Sequence, residues 1–368
     1  PSPDTFTRLP VLTRAEAVQL GTRLHGLSLP SVHGPTLRGT APGPEGGRPL
    51  TIVASRLHAF FNDAYLLRDL LWRETDFRGK WARLSHDPAT VTAGPRGTRE
   101  RDWGPAISAI YATGPAAGFD SERPVADQAA WLARERPDYL SAPPKALHAL
   151  AMHLRERKQK PPRLRALRCD GIAPPDLTPL CQEVFGVSPI VSVVLPETGC
   201  LALQCPEHGK LHVMAEGILA EIMDFSGAPC PPGQPGRLVV TPLHNFAMPL
   251  LRYDVGDYAE VGPLQAPCGR PFPSLVRVMG RASETFIRRD GTRFFPTLMA
   301  RKLEEVMPLK QVQFAQTDYE MVEIRYVPGL GSAPIDHDAV QRYIKSRIGE
   351  EFSARLVPMS DIPRAPSG

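Results

Sequence analysis

The sequence lacks both long apolar runs and regions dominated by one sign of charge. No stretch of its 368 residues approaches the roughly 18 apolar residues that a membrane-spanning helix requires, and its first segment shows no signal-peptide pattern. The 43 basic and 39 acidic residues are spread along the chain, so no basic block indicates nucleic acid or a membrane as a partner. We therefore predict a soluble, cytoplasmic protein with a mild attraction for anionic small molecules.

The defining motifs of several common enzyme classes are also absent. The sequence has no G-x-x-x-x-G-K-[ST] loop, no H-E-x-x-H and no G-x-S-x-G, which argues against a P-loop nucleotidase, a zincin and a typical α/β-hydrolase. Its six cysteines all lie between residues 169 and 268, which disfavours a disulfide framework spread over a secreted domain. Free thiols or a partial metal site fit this clustering better.

Proline and glycine are abundant, with 41 and 30 residues, and they predict short elements joined by many loops. Thr13 and Glu16 have the spacing of a capping box, so we expect a helix from Thr13 to about His25. We expect a loop over residues 29–50. Its core, GTAPGPEGGRP at 39–49, contains too much Gly and Pro for a helix or strand, and a phosphate-cradling loop is one interpretation.

The remaining patterns predict an α/β protein. Two helices are expected between residues 127 and 157, separated by an extended segment, and the second buries an apolar face. Short apolar runs predict strands at Ile190 to Leu195, Leu211 to Met214, Leu219 to Met223 and Leu238 to Val240. The last section predicts a helix near Thr297 to Val306, strands at Val312 to Gln316 and Met321 to Val327, and a helix starting near Asp336. We therefore divide the chain into a large body, residues 1–280, with a strand-rich subdomain at about 187–280, and a small α+β domain, residues 281–368.

The most specific segment is AMPLLRYDVGDYAEV, residues 247–261. An apolar strand carrying Arg252 and Tyr253 is expected to break at Gly256, so that Asp257 emerges at a strand end. A carboxylate in that position can accept hydrogen bonds from both hydroxyls of a ribose. An isolated aspartate there more often only caps a turn.

Asp257 is not isolated, because GRASETFIRRDGTRFFP follows at residues 280–296. Together the two segments resemble the ribose-binding and hinge motifs of adenylate-forming enzymes, specifically the phenylacetate-CoA ligase branch. Further similar segments occur in the expected order: LPVLTRAE near the start, PDYLSAPPKALHALA at 137–151, DGIAPPDLTPLCQEVFG at 170–186, PETG at 196–199 and DIPRAPSG at the end. Several similar segments in the expected order are stronger evidence of a relationship than any single short match. The resemblance implies the large multi-layer body and the small mobile C-terminal domain of that superfamily.

The resemblance also implies a nucleotide site. Glu197 would hold Mg²⁺ and Arg281 would contact ribose or phosphate, which makes both catalytic, while Asp257 would bind the ribose hydroxyls. The other implied nucleotide contacts are Asp170, Gly171 and Ile172 around adenine, Val193 near the base, Pro196 beside the α-phosphate, Thr198, and Thr40 in the phosphate loop. ATP and Mg²⁺ are the implied cofactors, and coenzyme A is the implied second substrate.

Several positions depart from the family pattern. Thr40 is the only hydroxyl residue of the phosphate loop, Val193 replaces a stacking aromatic residue, and Ser283 replaces the hinge aspartate. These changes favour a non-catalytic nucleotide-binding relative, whereas the joint presence of Glu197 and Asp257 with the Arg281 guanidinium favours catalysis. The family motif continues from PRAPSG into a catalytic lysine, and we expect that lysine to follow Gly368 in the full protein.

A zinc site is a further implication of the resemblance. Cys205, His208 and Cys268 match its ligand positions, but Ala266 replaces the other cysteine. Cys230 and His212 are alternative fourth ligands, and a relic in which the cysteines pack as small apolar groups is the other interpretation.

The predicted reaction is the ATP-dependent activation of a carboxylic acid to an acyl-adenylate, followed by transfer to coenzyme A. Transfer to an amine, giving an amide, is the main alternative, because the acceptor depends on pocket shape. The predicted partners are a small aryl or other organic acid and a nucleotide, and a homodimer is left open.

Overall fold

The computed structural model describes residues 6–41, 43, 48–86, 94, 96–224, 226–281, 285–294, 296, 298, 300–304, 306–307, 309–329 and 335–362. The chain divides into two compact units, Pro1–Gly280 and Arg281–Gly368. In the described residues, no helix has both the length and the apolar character to cross a membrane.

The first unit contains six helices and fourteen strands among the described residues. The helices are α1 (Arg14–Leu20), α2 (Arg56–Trp72), α3 (Pro105–Ser108), α4 (Val125–Glu135), α5 (Pro144–Glu156) and α6 (Leu177–Phe185), with 3₁₀ turns at Gly21–Leu24 and Ser31–His33. The strands are β1 (Thr36–Ala41), β2 (Leu50–Ser55), β3 (Trp81–Ser85), β4 (Thr98–Glu100), β5 (Ala116–Asp120), β6 (Tyr139–Ala142), β7 (Ala166–Asp170), β8 (Pro189–Leu195), β9 (Gly199–Gln204), β10 (Leu211–Val213), β11 (Ile218–Met223), β12 (Pro235–Pro242), β13 (Tyr253–Val261) and β14 (Ser274–Arg281).

The N-terminal segment is anchored to β13. Leu12 forms a bridge with Tyr253: its N–H donates to the Arg252 carbonyl and its carbonyl accepts from Asp254, both at 2.9 Å. The predicted capping box at Thr13 is confirmed. The helix ends at Leu20 instead of about His25, and the chain continues as a 3₁₀ turn. The anchor places the start of α1 beside the first residue of β13.

The predicted loop over residues 29–50 contains regular structure. β1 and β2 form an antiparallel hairpin in which Thr40 is opposite Thr51 and Ala41 is opposite Leu50. The expectation that no regular element includes residues 39–41 is therefore wrong, because the apolar partner strand supplies backbone hydrogen bonds that override the local Gly and Pro content. Residues 42 and 44–47 of the predicted phosphate loop lie outside the described residues.

A twelve-stranded sheet organises the first unit, in the order β11-β12-β13-β14-β10-β9-β8-β7-β6-β3-β5-β4. Neighbouring strands from β5 through β3, β6 and β7 to β8 are parallel, and the pairs from β8 to β11 that have an assigned register are antiparallel. The two helices predicted between residues 127 and 157 are confirmed as α4 and α5. The predicted core face of α5, Leu147, Leu150, Ala151 and Leu154, is buried.

The strand that carries Asp257 bulges at Gly256. Arg237 of β12 pairs with Tyr258, whereas Val239 pairs with Asp254, so the single residue Leu238 faces three residues of β13. Gly256 has a φ of +82°, which allows the extra residues to be accommodated while pairing continues. The predicted strand end is therefore wrong: Asp257 lies within β13 and is only 9% exposed.

The second unit is a small α+β structure. A short hairpin, β15 (Phe286–Ile287) and β16 (Arg293–Phe294), precedes α7 (Ala300–Glu304), β17 (Leu309–Asp318), β18 (Met321–Pro328), α8 (His337–Ile348) and β19 (Ser353–Pro358). β18 pairs antiparallel with β17 and parallel with β19, and Asp336 caps α8 by accepting from the Ala339 N–H at 2.9 Å. Ser283, the predicted pivot, lies outside the described residues, and the mobility of residues 281–368 stays a prediction.

Candidate nucleotide site and Cys/His cluster

Two of the predicted nucleotide-binding segments lie at the carboxyl edge of the parallel strands. β7 ends at Asp170 and its parallel neighbour β8 ends at Leu195. The Gly171 N–H donates to the Ser192 carbonyl at 2.8 Å, and Pro196, Glu197 and Thr198 follow β8 directly. Ligands of open α/β sheets bind at this edge. The fold thus brings Asp170–Ile172 and Pro196–Thr198 to neighbouring strand ends.

The side chains of these segments differ in their surroundings. Asp170 is exposed, whereas Ile172 packs against the apolar core. Val193 is 1% exposed inside that core, so it does not line an open surface. The Thr198 hydroxyl is buried and has no hydrogen-bond partner in the described part of the chain. Gly171 has a φ of +143°, and a Cβ there would lie 3.0 Å from the Pro144 ring, so this close approach favours glycine.

The Glu197 carboxylate is buried and forms an ion pair with Arg14. The same guanidinium donates to the Ala41 carbonyl at 2.7 Å and lies 3.4 Å from the Tyr253 hydroxyl. That hydroxyl is 3.5 Å from Glu197 Oε1. Burial, and then the neighbouring Glu197 carboxylate, raise the pKa of Tyr253 above its usual range, so its hydroxyl keeps its proton and donates to the carboxylate.

Arg14 is the residue of this site that sequence reasoning missed. It lies within LPVLTRAE, which the resemblance included, but the pairing partner is 183 positions away. Because the guanidinium already neutralises Glu197, the observed donor arrangement does not fit a divalent ion bound to that carboxylate. The role of Glu197 as an Mg²⁺ ligand stays a prediction.

The other predicted nucleotide contacts are more widely placed. Asp257 lies four residues beyond Tyr253 along β13, on the far side of the bulge at Gly256. Thr40 is exposed near the end of β1. Arg281 ends β14 and its side chain lies outside the described residues. The convergence of Glu197, Asp257 and Arg281 around one nucleotide therefore stays a prediction.

Four side chains form a separate cluster at the β9–β10 hairpin. The potential ligand atoms of Cys205, His208, His212 and Cys268 all lie within 4.8 Å of one another. The hairpin turn supplies the first two, β10 supplies His212, and the connection between β13 and β14 supplies Cys268. The three predicted residues thus meet, and His212 is the fourth. Cys230 is not a member: its thiol lies 3.7 Å from the Pro235 carbonyl.

The electrostatics of the cluster suit a metal ion. Burial, and then the nearby His208 and Arg270, lower the pKa of His212, which favours the neutral imidazole that binds metals. Burial alone would raise the pKa of Cys268, but hydrogen bonds from Arg270 lower this pKa overall and favour the thiolate. His208 Nδ1 accepts from the Lys210 N–H at 3.2 Å, and His208 Nε2 is buried without a partner among the described residues.

Two sulfur and two nitrogen donors are a set that tetrahedral zinc accepts. Zinc bonds of roughly 2.0–2.3 Å place neighbouring ligand atoms about 3.3–3.8 Å apart. His212 Nε2 and Cys268 Sγ are already 3.3 Å apart. A contraction of about 1 Å at the widest separations would complete the site.

Comparison with known proteins agrees with the sequence resemblance. No family model matches the chain. It is 25% identical over 269 residues to a phenylacetate-coenzyme A ligase of Thermus thermophilus, a match that covers 63% of this chain and 59% of that relative. It is 35% identical over 144 residues to a phenylacetate-coenzyme A ligase of Pseudomonas putida, covering 39% and 28% of the two chains.

Solved structures share the fold over most of the chain. A 2-hydroxyisobutyryl-CoA ligase in the postadenylation state matches with a TM-score of 0.72 and 17% identity, over 98% of this chain and 78% of that one. An amide bond synthetase, McbA from Marinactinospora thermotolerans, matches with a TM-score of 0.57 and 16% identity, over 87% and 65%. The chain therefore has a mixed α/β fold that resembles adenylate-forming ligases. It is a distant homologue of the phenylacetate-coenzyme A ligases.

The turn that presents Glu197 should be sensitive to its glycine. Gly199 has a φ of +78°, and a Cβ there would lie 2.8 Å from Asn62 Nδ2, on the amide whose Oδ1 accepts from the Cys200 N–H. We expect Gly199→Ala to lower the free energy of unfolding by about 2–4 kcal/mol, because it adds a collision to backbone strain. Urea denaturation measures this.

Gly186→Ala is the matched control for Gly199→Ala. Gly186 has a φ of +73° but no atom within 4 Å of the added Cβ. Backbone strain alone should lower the free energy of unfolding by about 1 kcal/mol. Equal losses in the two variants would contradict the prediction.

Proposed function

We propose that the chain activates a carboxylic acid with ATP and transfers the acyl group to coenzyme A. The observation that carries the proposal is the placement of Asp170–Ile172 and Pro196–Thr198 at adjacent strand ends, in a chain homologous to phenylacetate-coenzyme A ligases. The likeness to a CoA ligase in the postadenylation state supports the same reaction class. The match spans 59% of the length of the Thermus thermophilus relative, and the proposal concerns the activity of the whole protein.

In the proposed first step, the substrate carboxylate attacks the α-phosphorus of ATP. A new bond joins the carboxylate oxygen to phosphorus, and the bond to the pyrophosphate oxygen breaks. The protein contributes position and charge neutralisation rather than covalent chemistry. The Asp257 carboxylate would hold the ribose, and Asp170, Gly171 and Ile172 would line adenine.

The proposed phosphate contacts involve the same carboxyl edge of the parallel strands. Thr198, whose buried hydroxyl lacks a partner among the described residues, and the backbone at Pro196 would face the α-phosphate. Thr40 would approach the phosphates from β1, and Arg281 would contact the ribose or neutralise phosphate charge. ATP would bring Mg²⁺ on its own phosphates. Glu197 would reach that ion only after Arg14 has left the carboxylate.

In the second step, a thiol of coenzyme A displaces AMP from the acyl-adenylate. The fold likeness to an amide bond synthetase keeps an amine acceptor as the alternative. The buried Val193 and the Arg14–Glu197 pair instead favour a non-catalytic nucleotide-binding relative. Carboxylate-dependent exchange of labelled pyrophosphate into ATP separates this last alternative from both ligase reactions.

We expect the full-length protein to catalyse that exchange with an acid from a panel of aryl and short-chain acids. Asp257→Ala should lower the exchange rate at least about 100-fold, because the ribose loses the charged acceptor that positions the nucleotide. Glu260→Gln is the matched control: it removes a carboxylate from the same strand, in a half-exposed pair with Arg277 at 3.0 Å. Such a pair contributes little, and the rate should change less than about two-fold. Folded protein that shows no exchange with any acid contradicts the proposal.

We also propose a structural zinc ion in the Cys/His cluster, supported by the convergence of four donors within 4.8 Å. The purified protein should contain about one zinc ion per chain, and a chelator should lower its melting temperature, because binding energy is part of folding energy. Cys268→Ser and His212→Ala should reduce the zinc content, whereas Cys230→Ser should retain it. Zinc-free protein whose melting temperature does not respond to zinc or chelator contradicts this assignment.

A further inference from the structure

The guanidinium of Arg14 occupies a point where three oxygen atoms meet. Its Nη1 pairs with Glu197 Oε1 and lies 3.4 Å from the Tyr253 hydroxyl, and its Nη2 donates to the Ala41 carbonyl at 2.7 Å. The carboxylate and the carbonyl are oxygen donors that hard divalent cations take in proteins. Arg14 therefore lies where such a cation would otherwise find its ligands.

The backbone around Arg14 fixes the guanidinium in that position. The residue before it, Thr13, begins α1 with a capping box, and Leu12 is held to β13 by two backbone hydrogen bonds. Ala17, on the first turn of α1, is completely buried. The side chain is thus directed at Glu197 by structure on both sides, rather than reaching it from a free terminus.

Because the ion pair is buried, a second cation cannot share the Glu197 carboxylate with Arg14. The Arg14 side chain is 16% exposed and that of Glu197 is 9% exposed, so water screens their interaction only weakly. A second cation at the same carboxylate would meet the full repulsion of the guanidinium at close range. A metal ion can bind Glu197 only when Arg14 has moved away or has been removed.

We infer that Arg14 is an internal cation that competes with divalent metal ions for Glu197, so that in the unliganded chain this carboxylate binds no metal. The inference concerns the protein without substrate and does not rest on the proposed reaction. It gives the N-terminal segment a function of its own: to keep a buried carboxylate neutralised when no substrate is present.

Binding of Mn²⁺ to zinc-loaded protein tests this inference, since zinc fills the Cys/His cluster and Mn²⁺ reports its free concentration by electron paramagnetic resonance. We expect Arg14→Gln to bind one Mn²⁺ at least ten-fold more tightly than the wild type. Arg14→Lys, which retains a cation, should resemble the wild type. In Arg14→Gln, a second change of Glu197→Gln should abolish the gain.

Equal Mn²⁺ affinity in the wild type and Arg14→Gln, including no detectable binding in either, overturns the inference. A gain that survives Glu197→Gln also overturns it, because the ion is then elsewhere. If Arg14→Gln does not fold, Mn²⁺ binding to the wild type still tests the inference. One Mn²⁺ that binds to the wild type and is lost in Glu197→Gln would show that the guanidinium does not exclude metal. Absence of such binding supports the inference.

Discussion

The buried carboxylate of Glu197 joins three segments that are far apart in the sequence. Its partner Arg14 comes from the N-terminal segment, Tyr253 begins β13, and the Ala41 carbonyl that shares the guanidinium ends β1. A buried charge is costly unless it is paired and hydrogen-bonded. These segments must therefore meet wherever the end of β8 places Glu197. Residues 39–41 of the predicted phosphate loop form the end of β1, beside this interaction.

The Cys/His cluster has a different relation to the fold. It joins the β9–β10 hairpin to the connection between β13 and β14, two segments that β10 and β14 already pair in the sheet. Arg270 lies 3.5 Å from the Cys205 sulfur and 2.7 Å from Glu207, so a cation lies beside the sulfur donors of the cluster. With four protein ligands, a tetrahedral zinc ion has no open position for a substrate. The cluster therefore suits stabilisation, and we assign the proposed chemistry to the edge formed by β7 and β8.

Local signals were sufficient to predict much of the fold. The capping box at Thr13, the apolar face of α5 and the strand predicted at Ile190 to Leu195 depend on neighbours in the sequence, and the structure contains all three. The errors depend on distant partners. Asp257 remains inside a strand because the bulge at Gly256 is set by the register with β12, and residues 39–41 become a strand only through pairing with β2. Arg14 and His212 could not be assigned their roles from spacing, since each is completed by residues that only the folded chain brings near.

We propose that the edge formed by β7 and β8, together with β13, holds one nucleotide. A crystal structure of the full-length protein with bound AMP tests this most directly. We expect the ribose hydroxyls within hydrogen-bond distance of the Asp257 carboxylate, adenine against Asp170–Ile172 and the phosphate beside Thr198. Nucleotide bound elsewhere, or saturating AMP that leaves this edge empty, contradicts it.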